Sequence, residues 1–141
     1  MTTTRSLRQN APSAIQSSSS PSASVYWLNV EQVRRDLQKA AQRLARNHPE
    51  IEEIWLFGSL ARGDAVPGSD ADLLILLDEG NSSFLERMAR YQPDFCGVGV
   101  DVFAYTGAEV ARMEAEGNTF VRSARAEGIL LFQRSTHKRQ G

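Results

Sequence analysis

Gly58-Ser59, ten residues, then Asp70-Ala71-Asp72 is the spacing in this chain that can do chemistry, and Asp101, inside Val98-Gly99-Val100-Asp101-Val102-Phe103, extends it. Side chains at i and i+2 of a strand share a face, so Asp70 and Asp72 should point together. Held side by side ahead of the apolar Leu73 to Leu77, two carboxylates repel unless a cation lies between them. A hard, oxygen-seeking ion such as Mg²⁺ suits this donor set. Mg²⁺ commonly takes one or two protein carboxylates and fills its remaining positions with phosphate oxygens and water, which points to a nucleoside triphosphate. The Gly58-Ser59 turn follows the apolar Ile54-Trp55-Leu56-Phe57. Glycine there permits close approach of a ligand, and amides at a following helix N-terminus favour phosphate. Asp101, from another strand, adds a third carboxylate and room for two metals that bridge the attacking oxygen and the leaving phosphate. Arg62, four residues after Gly58, can swing towards the triphosphate as a charge-assisted donor.

Positioning these groups requires strands on both sides of the turn, and the β-type runs predict them at about 51–57, 70–77 and 98–104. Asn29 reads as an N-cap, with Gln32 three residues on, opening a helix that runs to about Asn47 and is stopped by Pro49. Val30, Val33, Leu37, Ala40, Ala41 and Leu44 recur at helical spacing, so this helix should cover one face of the sheet. Its Arg34, Arg35, Arg43 and Arg46 read as a solvated face, and His48 as a complement to the helix dipole. Further helices are predicted over 82–91, 107–116 and 118–127. Trp55 reads as a packing or partner-facing residue outside the site. Gly63, Pro67 and Gly68 make a connector ahead of the aspartates, suited to a loop that covers a nucleotide.

Composition bounds the function classes. Sixteen Lys and Arg against seventeen Asp and Glu give a formal net charge of −1, which argues against general nucleic-acid binding and hence against a polymerase. The single cysteine, Cys96, excludes an internal disulfide, fits a reducing cytoplasm and reads as a small packed side chain. No apolar run is long enough to span a bilayer, and no apolar centre of a signal peptide is found. Residues 1–24, rich in Ser, Thr, Gln and Pro, are expected to be a disordered tail, with a transit peptide or a mis-assigned start as the alternatives. A single small domain is expected over 25–133, followed by a basic flexible tail over 134–141.

Gly58-Ser59, Ala61-Arg62-Gly63, Asp70-x-Asp72 and the later Asp101 together resemble the nucleotidyltransferase superfamily of the DNA polymerase β type. The small size is similar to that of the minimal nucleotidyltransferases, a class that includes antitoxins paired with HEPN-domain toxins. The similarity runs from about Val30 to Phe132, including Asn118-Thr119-Phe120 and Ala126 to Phe132. The resemblance implies an α/β (α+β) fold, a small mixed sheet flanked by helices. It also implies transfer of a nucleoside monophosphate, with ATP as donor, Mg²⁺ held by Asp70, Asp72 and Asp101, and Asp101 near the acceptor hydroxyl. In antitoxins of this class the implied acceptor is a tyrosine of the partner toxin. Two alternatives stay open: a small-molecule, antibiotic-type nucleotidyltransferase, which generally carries a further helical domain, and a non-catalytic module that binds nucleotide and holds its partner sterically.

Overall fold

The computed structural model of the chain describes residues 15–16, 27–80, 82–94 and 97–135. Most of the expected N-terminal tail, Cys96 and the tail beyond residue 135 lie outside them. The elements in chain order are β1 (Ile15–Gln16), β2 (Trp27–Leu28), α1 (Val30–Asn47), β3 (Ile51–Phe57), α2 (Ser59–Arg62), β4 (Ala71–Leu77), α3 (Phe84–Arg90), β5 (Val100–Thr106), α4 (Gly107–Ala115), α5 (Phe120–Glu127) and β6 (Ile129–Gln133). The two-residue strands β1 and β2 pair antiparallel with each other. The other four form one sheet in the order β5-β4-β3-β6. β3 runs antiparallel to both β4 and β6, whereas β4 and β5 are parallel, so the sheet is mixed as expected.

β4 explains why the sheet needs cover on both sides. Its sequence Leu73-Leu74-Ile75-Leu76-Leu77 lacks polar alternation, the pattern of a strand buried on both faces. Alternate side chains accordingly enter different cores. Leu73, Ile75 and Leu77 join Val33, Leu37, Ala41 and Leu44 of α1, Ile54 and Leu56 of β3, Leu60 of α2 and Val102 of β5. Leu74 and Leu76 face the opposite way, into Phe57, Phe103, Tyr105, Val121 and Ala124 under α4 and α5. Each fully buried leucine contributes about 1.5–3 kcal/mol relative to exposure, so these contacts dominate the stabilisation.

Helix ends follow the local sequence. The Asn29 side chain accepts from the Gln32 amide at 3.0 Å, as the spacing predicts. The Gln32 side chain instead turns forward to Asp36 Oδ1 at 2.9 Å. Ser83 with Glu86 and Thr106 with Glu109 form reciprocal capping boxes on α3 and α4. The strand β6 is an addition to the sequence-based reading: Ile129 to Gln133 is too short an apolar run to declare its own type, and pairing with β3 decides it. His48 ends α1, but it packs edge-on against Tyr91 at 5.0 Å and its Nδ1 lies 3.5 Å from Glu50 Oε2.

A buried cation ties α3 to α4. Arg87 is 2% exposed, and its guanidinium makes a two-pronged contact with Glu109, Nη1 to Oε1 at 2.6 Å and Nη2 to Oε2 at 3.0 Å. Nη1 also donates to the Ala104 carbonyl of β5 at 3.2 Å. The Arg87 contact holds the Glu109 carboxyl below the usual glutamate range. Its stabilising contribution is therefore complete above the unfolded-state glutamate range and disappears as pH falls through the lowered folded value. Glu109→Gln, which leaves the buried guanidinium uncompensated, should cost about 2–3 kcal/mol at neutral pH. Urea titrations of both proteins should show that difference shrinking under acid conditions, and a difference independent of pH would contradict the assignment.

Candidate active site

The chain reverses from β3 into α2 at Gly58, which is buried and adopts φ 80°, ψ −158°. A positive φ of this kind is strained for any residue with a side chain. A Cβ at this position would also collide with Asp72 Oδ2. Thus Gly58 is required twice over, by backbone conformation and by the carboxylate pressed against it. Ser59 opens α2, whose internal hydrogen bonds begin with the Ala61 amide donating to the Gly58 carbonyl at 3.0 Å. The earlier amides of such a turn are left for other acceptors.

Sheet register gathers the aspartates. Asp72 is paired across β3 with Phe57, the residue before the turn, and across β5 with Asp101. Phe57, Asp72 and Asp101 thus form one row at the end of the sheet. Adjacent strands lie about 4.8 Å apart, and paired residues on parallel strands share a face, so the Asp72 and Asp101 carboxylates are neighbours. Asp70 sits one residue before β4 begins. Its Oδ1 lies 2.6 Å from where a Cβ on Gly99 would stand, so Gly99 leaves room for it beside β5. Asp72 is half-buried, while Asp70 and Asp101 are exposed.

The electrostatics follow from that packing. Burial pushes the Asp72 carboxyl above the usual aspartate range, the negative charges of Asp101 and Asp70 push it further, and Arg62 opposes them. Three oxygen donors of like charge with incomplete compensation match the preference of a hard divalent cation. Asp70, Asp72 and Asp101 are the residues that would hold it. As they stand, Asp72 reaches towards Gly58 and Asp70 towards Gly99, and among the described residues no three acidic, His or Cys side chains are drawn together tightly enough to enclose an ion.

Arg62 closes α2 and is about half exposed. Its Nε donates to Asp64 Oδ2 at 3.2 Å and its Nη1 to Glu127 Oε1 at 3.1 Å. Its charge reaches Asp72, but its donors are occupied by these two carboxylates. Trp55 stands away from the aspartates, half-buried, with its indole N–H donating to Glu53 Oε1 at 2.7 Å and Arg125 over the ring at 5.6 Å. Arg34 corrects the reading of α1 as carrying a solvated basic face. It is half-buried and donates to the carbonyls of Leu60 and Ala61 in α2. The signal was available: Arg34 lies seven residues before buried Ala41 and shares its helical stripe.

Comparison with known proteins identifies the family. Residues 37–121, more than half of the chain, match the family model described as nucleotidyltransferase domain. The chain belongs to the nucleotidyltransferase domain family. The matched segment contains Gly58, Ser59, Arg62, Asp70, Asp72 and Asp101, and the chain is a nucleotidyltransferase. It is 29% identical over 72 residues to a Methanocaldococcus jannaschii protein named "Putative protein adenylyltransferase MJ1379", covering 48% of this chain and 71% of that relative. Among solved structures, a nucleotidyltransferase of Sulfolobus solfataricus, described as putative, superposes with a TM-score of 0.54 at 23% identity, covering 74% of this chain and 84% of the other. A toxin-antitoxin structure with AMP-PNP superposes with a TM-score of 0.51 at 17% identity, covering 73% and 78%. These two likenesses establish the mixed α/β fold.

Gly58→Ala tests the pressed turn directly. Forcing the Asp72 carboxylate aside by about an ångström should lower nucleotidyl transfer by about 10²-fold, with the circular dichroism spectrum of the variant unchanged. Full activity in the variant would show that the turn and Asp72 need not touch.

Proposed function

We propose that this nucleotidyltransferase moves AMP from ATP to a hydroxyl of a partner protein, and that the acceptor is a tyrosine of a HEPN-type toxin for which the chain acts as antitoxin. The observation that carries the reading is the register of Asp72 against Asp101 with the Gly58-Ser59 turn pressed on Asp72. It brings the Gly58-Ser59 turn and an acidic row together at one end of the sheet, which supports a role for that turn in holding phosphate. The relative named a protein adenylyltransferase supports the protein acceptor. The toxin-antitoxin structure with AMP-PNP supports an adenine nucleotide and a toxin partner. Among the described residues no helix is long and apolar enough to cross a membrane; action in the cytoplasm, where ATP is abundant, is part of the proposal.

The roles divide by position. The Gly58 and Ser59 backbone grips the β- and γ-phosphates through amides, which contributes affinity for the triphosphate tail. Mg²⁺ bound by Asp70, Asp72 and Asp101 would neutralise the charge that develops on the phosphate oxygens. Asp101, exposed on the edge strand β5, is open to an acceptor brought by another molecule. The acceptor oxygen forms its bond to the α-phosphorus as the bond from that phosphorus to the bridging oxygen breaks, and pyrophosphate leaves. The proton of the acceptor hydroxyl passes to the Asp101 carboxylate. Arg62 can exchange Asp64 or Glu127 for a phosphate oxygen once the triphosphate is present.

Incubation of the protein with lysate of its source cells, Mg²⁺ and ATP labelled at the α-phosphate tests the proposal, with γ-labelled ATP as control. A labelled protein band should appear with the α-label alone and weaken by about 10²-fold or more in Asp70→Asn and Asp72→Asn. Asp101→Asn should lose turnover far more than nucleotide affinity. Label confined to small molecules would favour an antibiotic-type enzyme, and the absence of any aspartate-dependent label would favour a binding module.

A further inference from the structure

α2 is a single turn, and a helix this short does not hold itself in water. Its hydrogen bonds show what holds it. The Gly58 carbonyl accepts from the Ala61 and Arg62 amides at 3.0 and 2.9 Å, and the Ser59 carbonyl accepts from Gly63 and Asp64 at 2.9 and 3.2 Å. The next two carbonyls are taken from a distant helix. Arg34 of α1 donates through Nε to Leu60 O at 2.9 Å and through Nη2 to Leu60 O at 2.6 Å and Ala61 O at 3.1 Å. We infer that Arg34 is a positioning residue of the nucleotide site, which clamps α2 from behind so that the Gly58-Ser59 turn stays against Asp72.

The clamp rests on the reading of that turn as the grip on the triphosphate, and it adds a residue outside the matched segment 37–121. Its physical basis is specific. A cation at the C-terminal end of a helical turn complements the exposed carbonyl dipoles. A planar guanidinium satisfies two carbonyls from one rigid fork, which a lysine ammonium cannot reproduce in the same geometry. Val33 and Leu37 on either side of Arg34 are fully buried, as is Leu60 on the turn, so both ends of the clamp are anchored in one core. Gly58 adopts its positive φ without strain, but a glycine also admits many other conformations, so the turn gains from a support that holds it in this one. Arg34 touches no reacting atom, so its effect should fall on nucleotide binding.

Arg34→Ala and Arg34→Lys should each raise KM for ATP by about tenfold in the label-transfer assay. The turnover number should change by less than about threefold, because a grip on the triphosphate tail acts alike in ground and transition states. Calorimetric titration with AMP-PNP should weaken in parallel. Backbone amide exchange over residues 58–64 should speed up in both variants while β4 and β5 stay protected. A merely structural arginine would instead reduce the active fraction, seen as lower turnover at unchanged KM, and that result would overturn the inference, as would wild-type behaviour of Arg34→Lys. If the unaltered protein neither binds nor transfers nucleotide, the functional reading fails, and the inferred nucleotide role of Arg34 fails with it. Amide exchange still decides separately whether Arg34 clamps the turn.

Discussion

Two carboxylates in register on adjacent parallel strands repel each other, and the rest of this protein is arranged around keeping them there. Asp72 and Asp101 face the same side at the end of β4 and β5. Burial of Asp72 raises the cost of its charge, and Asp70 raises it again. No local preference of the chain would choose this placement. It persists because Ala71 and Leu73, which flank Asp72, are fully buried in the core beneath, so the strand cannot slip without exposing a whole row of leucines. Repulsion at the site is therefore balanced by hydrophobic burial elsewhere, as expected where strain serves binding.

The two cores divide the labour. The larger one, under α1 and α2, sets the height of the turn relative to the sheet, because Leu60 and Leu56 belong to the same cluster as Leu73. The smaller one, under α4 and α5, is rich in aromatic rings: Phe57 meets Phe103 at 5.7 Å and Phe120 at 5.4 Å, both edge-on. Phe57 and Phe103 are the immediate neighbours, along their strands, of Gly58 and, two residues away, Asp101. Rings packed in preferred geometry restrain the strand ends on which the site is built.

Arginines provide the long-range ties. Arg34 joins α1 to α2, Arg87 joins α3 to α4 and β5, and Arg134 donates to the carbonyls of Ile51 and Ala45 at 2.8 and 3.1 Å, binding the end of β6 to α1 and β3. Each binds carbonyls or a carboxylate of an element distant from it in the chain. A guanidinium suits this use because it offers several donors in a fixed plane and keeps its charge when buried.

How far the sequence speaks depends on whether the controlling physics is local. The Asn29 cap, the amphipathic α1, the apolar run of β4 and the Gly58-Ser59 to Asp70-x-Asp72 spacing are local, and each was legible without coordinates. The strand β6 was not, since its four apolar residues take their type from the β3 edge they pair with. Arg34 read as part of a solvated face although its helical stripe hinted otherwise, and the acceptors that hold Arg34 and Arg87 come from 26 and 22 residues away. Arg62 shows the converse: the sequence places it near the turn, and only the folded chain brings Glu127 across to hold it. The chemistry of the site, acidic residues with a glycine turn, was thus determined by residue types at fixed spacing. Tertiary structure alone decided that Asp101 stands opposite Asp72, because strand order and register are set by how two hydrophobic cores close around one sheet.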